Sequence, residues 1–404
     1  MKQYLFDKLP EGPFTKIRGL IAGITPKMSI IDMSIGEPKH GIPDFVAPIL
    51  NQQMAGFGKY PAALGIDELR NANANWLNQR FGLNGKADKD KHITVLNGTR
   101  EGLFNATLLA LDTKKTNKPI VAMPDPFYQV YAAGGLAAQA ELLFLPCAKS
   151  SGFLPDITTI KAEQWQRMCA FFICSPSNPQ GAFADATYFA MLIAMARKYD
   201  FYIFSDECYS EIYADDPPIS ALDIAAQNGD FENVISFFSL SKRSSLPGLR
   251  SGFCAGDAGF TKRFKAMRNI AAPQVPAPLQ HVAVKAWSEE SHVVQNRKLY
   301  NQKFDIADKI IGTMFDYKRP QGGFFLWLNM AQYGGGEICA QQIWQHCGIK
   351  SLPGGYLSVL ASQNDAAETA KDYLRLALVG SLEDTTEALT RLVNYYTNLG
   401  ANNE

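Results

Sequence analysis

At 404 residues the chain is longer than one hydrophobic core ordinarily serves, so two domains are expected. Hydrophobic residues make up 47% and charged residues 19%, which excludes a disordered chain. Lys plus Arg and Asp plus Glu each total 39, leaving no net field to attract nucleic acid or an acidic membrane.

The seven cysteines are scattered, with no Cys-x-x-Cys, and the five histidines add no metal-ligand spacing. That pattern suits reduced thiols and argues against a disulfide framework or a zinc site; no metal is expected. The N-terminus lacks the long apolar core of a signal peptide. No apolar run approaches the roughly 20 residues of a membrane span. A cytoplasmic protein is expected.

In chain order, residues 1–30 hold one short helical pattern on Phe14, Ile17, Leu20 and Ile21. Ser29 to Ile35 reads as a short strand that runs into Gly36-Glu37-Pro38-Lys39-His40. There the glycine permits close backbone approach and the proline stiffens the turn. The loop at 58–65 contains Tyr60 and leads to a helix over 66–81. His92 to Leu96 reads as a strand, followed by Asn97-Gly98-Thr99-Arg100 and a helix with Leu103, Phe104, Thr107, Leu108 and Leu111 on one face. With Thr99 as N-cap, this is an ordinary strand-to-helix unit; its free N–H groups also suit a phosphate.

Strands and helices then alternate. Pro119 to Pro124 is a strand, with the aromatic Tyr128 just beyond its carboxyl end, where a planar ring can stack. The strand Phe171 to Cys174 ends in a proline-stiffened loop, 175–181, with the Asn178 amide at its apex. A helix near 185–199 precedes the strand Phe201 to Ser205, which terminates in Asp206, with Tyr209 three residues later. A carboxylate so placed is either buried and paired or serves chemistry. The strand Val234 to Phe238 is followed by Ser239-Leu-Ser-Lys-Arg-Ser-Ser-Leu-Pro-Gly-Leu-Arg250, and Gly252 to Gly256 is a further strand. One long helix is expected from about 279 to 315, then strands near 322–328 and 373–379. Arg375 has apolar neighbours on both sides; it either meets an anion or lies on the solvated edge of an antiparallel strand.

Lys242 stands just past a strand's carboxyl end, where open α/β sheets bind ligands. Its amine can form a Schiff base with an aldehyde, while Ser239, Ser241 and Arg250 can hold a phosphate dianion. A cofactor with both groups on one ring is pyridoxal 5'-phosphate, PLP. Asp206 would keep its ring nitrogen protonated, Tyr209 and Asn178 would hydrogen-bond its phenolate oxygen, and Arg375 would grip a substrate α-carboxylate.

As a set, Ser175 to Gly181, Ser205 to Tyr209 and Ser239 to Arg250 resemble the Asn-Pro loop, Asp-x-x-Tyr element and lysine signature of the class I/II aminotransferases. The resemblance covers nearly the whole chain. It implies an α/β fold, PLP-dependent transferase fold type I, with a mainly parallel central sheet in a large domain (46–280). A smaller α+β domain would comprise 1–45 and 281–404. Lys242 would be the catalytic Schiff-base lysine and Arg250 the phosphate arginine. Gly98, Thr99 and Arg100 would contact the phosphate, and Tyr128 would stack on the ring. Gly36 would offer its N–H to the substrate carboxylate. Tyr60 would reach the phosphate of a neighbouring subunit, which implies a homodimer. More narrowly, the strings beginning at Gly36, Tyr60, Asn97, Ser205 and Ser239 resemble the bacterial succinyldiaminopimelate aminotransferases, which exchange amino groups with glutamate and 2-oxoglutarate in lysine synthesis. Ser177 departs from the glycine expected there. Lys39, Arg100 and Arg18 are candidates for distal substrate carboxylates. Sibling aminotransferases for aspartate, alanine or aromatic substrates, and PLP-dependent carbon–sulfur lyases, share the central residues. A PLP-binding regulator would need a DNA-binding module, for which the chain shows no basic patch.

Overall fold

In the computed structural model, which describes residues 5–112, 116, 118–227, 229–362 and 370–401, seven strands form the central sheet. They are β1 (Ile93–Leu96), β2 (Ile120–Asp125), β3 (Glu141–Pro146), β4 (Met168–Cys174), β5 (Tyr202–Asp206), β6 (Val234–Ser239) and β7 (Gly252–Gly256). Their order is β1-β7-β6-β5-β4-β2-β3. All neighbours run parallel except β7, which is antiparallel to both β1 and β6.

The continuous apolar runs follow from burial on both faces. Alternate residues of one strand enter different cores: Phe171 and Ile173 join Ile203, Phe238 and Phe253, whereas Phe172 joins Phe204, Phe237 and Phe260. Each fully buried aromatic of this kind contributes about 1.5–3 kcal/mol, so the sheet is a rigid platform. The edge strand β3 alone carries exposed residues within the strand.

A second core gathers Ile17 and Met33 with residues from Phe304 to Tyr396. It surrounds a three-stranded antiparallel sheet of β8 (Phe325–Asn329), β9 (Leu352–Pro353) and β10 (Tyr373–Ala377), in the order β9-β10-β8. The Asp125 carboxylate, at the end of β2, accepts from the Ser358 hydroxyl, from Val359 N–H at 2.7 Å and from Leu360 N–H at 3.1 Å. A loop beside the small sheet is thereby fastened to the large one.

Four expectations are corrected. The long helix over 279–315 is two helices, Ala277–Trp287 and Ser291–Ile311. The Glu289 carboxylate accepts from Ser291 N–H at 2.6 Å, satisfying a free donor at the second start. The first of the two packs Val282, Ala283, Ala286 and Trp287 into the larger core. The strand expected over 29–35 is only Ile31–Asp32, paired with Ile349–Lys350. Past it the chain turns as Ser34 donates twice to the Asp32 carboxylate. The helix after β1 begins at Thr99, with Gly98 rather than Thr99 as N-cap; a φ of 77° there favours glycine. On that helix Leu103, Ala106 and Thr107 are buried while Leu108 is exposed, because the face turned to the sheet is centred one position earlier than the apolar pattern suggests.

Candidate active site

The carboxyl ends of β4, β5 and β6 open into a cavity of about 570 Å³. Its wall includes Gly36, Thr99, Arg100, Tyr128, Asn178, Asp206, Tyr209, Ser239, Ser241, Lys242, Arg250 and Arg375. Twelve of the residues singled out from the sequence are therefore brought together. Gly98 stands immediately behind the wall, against Arg250.

Strand β5 delivers Asp206 to the floor. Its carboxylate accepts from the Tyr131 hydroxyl at 2.8 Å and from Cys208 N–H at 3.3 Å. Burial pushes its pKa up, and those hydrogen bonds oppose the shift. A buried carboxylate in this state gains from a cationic N–H partner, the form a pyridinium nitrogen presents.

Lys242 lies on the short helix Leu240–Arg243, for which the Ser239 hydroxyl accepts from Ser241 N–H at 3.1 Å. The Lys242 amine donates to the carbonyl of Gly36 at 2.6 Å. It stands 5.3 Å from the Phe324 ring centre and 5.9 Å from that of Tyr209. Burial, helped by the Arg375 charge, brings its pKa down to about 8. A free, nucleophilic amine is thus within reach near neutral pH.

Arg250 adopts the left-handed conformation at φ 52°, sparsely populated for a side chain of this size. Its guanidinium donates to Pro247 O at 2.9 Å. A Cβ on Gly98 would fall 2.1 Å from Arg250 Nη2, so only glycine leaves the guanidinium its place beside the first turn of the Thr99 helix. Arginine, serine hydroxyls and helix N–H groups together fit a phosphate.

Arg375 occupies β10, the central strand of the small sheet, and is not on a solvated edge. It donates to Ser34 O at 2.7 Å and to Asn178 Oδ1 at 3.3 Å, and its Cζ lies 4.4 Å from the Phe325 ring centre. Its Nε has no partner among the described residues. Burial lowers its pKa to about 10, still far above neutrality. A buried permanent cation facing only neutral acceptors, with an open donor, calls for an anion. The glycine at 36 is required by Phe325, whose Cζ lies 2.6 Å from where a Cβ would stand.

Arg100 donates to the Tyr128 hydroxyl at 2.5 Å and so braces the ring. Lys39 and Arg18 do not line the cavity, and Tyr60 is fully exposed away from it. Sequence reasoning missed Tyr131 and Cys208, whose thiol lies 3.2 Å from the Thr99 hydroxyl. Tyr131 falls one helical turn after Tyr128, a spacing that could have pointed to it.

Residues 28–392 match the family described as aminotransferase class I and II. The chain belongs to this family. An aminotransferase crystal structure from Neisseria meningitidis is 36% identical, covers 98% of this chain and 100% of its own, and superposes with a TM-score of 0.91. An LL-diaminopimelate aminotransferase of Desulforudis audaxviator is 29% identical over 391 residues, 95% of each chain. A probable N-succinyldiaminopimelate aminotransferase from Thermus thermophilus shares the fold, with a TM-score of 0.82 and 21% identity over 95% of this chain and 100% of its own. The fold is that of the fold-type-I aminotransferases, and the chain is a PLP-dependent aminotransferase. Among the described residues no helix is long and apolar enough to cross a membrane.

Proposed function

We propose that the enzyme moves an amino group between glutamate or 2-oxoglutarate and a diaminopimelate-class substrate in lysine synthesis, with N-succinyl-LL-2,6-diaminopimelate and its 6-oxo counterpart as the preferred pair. The observation that carries the chemistry is the facing of Lys242 and Arg375 across one cavity. The substrate class is supported by the LL-diaminopimelate aminotransferases among the relatives and by Arg100 on the cavity wall, a cation for a distal carboxylate.

PLP, when bound, supplies an electron sink for the electron pair of the substrate's Cα–H bond. Lys242 would hold its aldehyde carbon, Asp206 its ring nitrogen, Asn178 and Tyr209 its phenolate oxygen, and Tyr128 its face. Arg250, Ser239, Ser241 and the Gly98–Thr99–Arg100 turn would hold its phosphate. Arg375 binds the substrate α-carboxylate through two donors and, with Gly36 N–H, orients the Cα–H bond. Once freed by the substrate amine, the Lys242 amine would take the substrate α-proton at Nζ and hold it for return on the same face. Asp206 keeps a proton on the group it faces, because a buried carboxylate and a cation stabilise one another.

Tyr60 is fully exposed and has Met54, Phe57 and Leu64 exposed nearby. A run of exposed apolar side chains is suited to burial against another chain. A cytoplasmic homodimer in which Tyr60 reaches the neighbouring site accounts for it.

The test mixes the PLP-loaded protein separately with glutamate, aspartate, cystathionine, LL-diaminopimelate and its N-succinyl derivative, reading the cofactor spectrum, keto acid and ammonia. Rapid conversion by glutamate and the succinylated compound, without ammonia, supports the proposal. Conversion by the free diaminopimelate alone transfers the enzyme to that substrate. Conversion by aspartate alone overturns the pathway, and ammonia with pyruvate from cystathionine makes the protein a lyase.

A further inference from the structure

The loop Gly36 to His40 holds Lys242 from two sides. At one end Gly36 O accepts from the Lys242 amine at 2.6 Å. At the other, His40 O accepts from the Ser245 hydroxyl at 3.0 Å, and His40 Nδ1 lies 2.6 Å from Asn296 Oδ1. The Asn296 nitrogen donates to the carbonyls of Lys242 and Arg243, at 3.0 and 3.1 Å.

Chemistry assigns every proton in this cluster. Two carbonyls can be met only by the NH₂ end of Asn296, so its oxygen faces His40 and Nδ1 must carry a hydrogen. The Lys303 amine lies 2.6 Å from Nε2; burial brings its pKa down to about 8, so below that pH it is an ammonium and Nε2 accepts. Lys303 is only 1% exposed and has no carboxylate within ion-pair distance among the described residues. A second proton on His40 would face that ammonium directly. The Tyr300 ring, 4.4 Å from the imidazole, offers no negative charge to compensate. The other charged groups in the two loops that meet here are Glu37, Lys39, Lys242 and Arg243, of which three are cations.

We propose that His40 and Asn296 are positioning residues for Lys242. Lys303 holds His40 as the neutral Nδ1–H tautomer, His40 fixes the Asn296 carboxamide, and the carboxamide clamps the backbone of the helix that carries the amine. Because Gly36 and His40 belong to one five-residue stretch of loop, the amine and its backbone are registered by the same segment. The inference rests on Lys242 as the cofactor's attachment point.

The experiment compares PLP-loaded Asn296→Leu, His40→Phe and His40→Asn with the parent. It reads the pH midpoint of the resting cofactor absorbance, without substrate, and the α-deuterium isotope effect on the glutamate half-reaction. Asn296→Leu and His40→Phe should each shift the midpoint by about half a pH unit or more. Both should slow the half-reaction about tenfold, with a larger isotope effect and glutamate affinity within about twofold. His40→Asn, which keeps an N–H for Asn296, should recover to within about threefold of the parent. If midpoint and isotope effect match the parent and only the melting temperature falls, the cluster is merely structural and the proposal is overturned. The two non-conservative variants are read independently, so one that does not fold leaves the other decisive. Lys242→Ala is the control: persistence of its cofactor band refutes the attachment point itself, whereas loss of the band with unchanged His40 and Asn296 variants refutes only the positioning role.

Discussion

The two walls of the cavity handle buried charge differently. On the large-sheet side, Asp206 and Lys242 are each met by protein groups: the Tyr131 hydroxyl and Cys208 N–H for the carboxylate, the Gly36 carbonyl for the amine. On the small-sheet side, Arg375 is as buried as Asp206 but leaves Nε unmet among the described residues. A wall whose carboxylate and amine are already held in place by the protein is preorganised for a resident cofactor. A wall with an open donor suits an anion that arrives and leaves.

The contrast breaks most sharply at Lys242. Lys242→Ala should lower transamination about a thousandfold or more while preserving the fold, measured by single-turnover spectra and circular dichroism. Next comes Arg375→Ala, expected to weaken amino acid binding about 10- to 100-fold through KM, with cofactor affinity nearly unchanged; an unaltered KM removes Arg375 from that wall's role. On the other wall, Gly98→Ala should reverse the pattern, raising the cofactor dissociation constant about tenfold because the new methyl displaces the Arg250 guanidinium. Equilibrium dialysis with PLP checks it.

The pH dependence of Lys242 sharpens the same comparison. Its pKa of about 8 lies below the ordinary 10.5, so the reactive free amine predominates above pH 8 and is protonated away below it. The rate of PLP capture by cofactor-free protein should therefore fall about tenfold per pH unit below that midpoint. Between the two values the unfolded chain binds more protons than the folded one, so this residue's unfavourable contribution to stability is relieved as pH rises through the window. The smallest effect is expected at the rim. Arg100→Gln should raise KM for a substrate with a distal carboxylate about two- to fivefold, and leave that for alanine unchanged, in steady-state assays.

Much of the large sheet was legible because its strands are apolar at successive positions and end in residues unlike those before them. Asp206, Asn178 and Lys242 each follow such a run, and the structure sets all three around one opening. The helix break at 288–290 was passed over, although Ser288 to His292 are five polar residues in a row; the Glu289 contact to Ser291 N–H marks the new start. Tyr131 was passed over as one aromatic among several, and its role depends on Asp206, 75 residues away.

The sequence by itself determined the local elements and the chemical kinds at their ends, because strand and helix periods and turn residues act over a few positions. Only the tertiary structure decided which kinds meet. Arg375 reaches Ser34 across 341 positions, and His40 reaches Lys303 across 263. Such contacts are set by how two cores pack, and no local pattern carries that information.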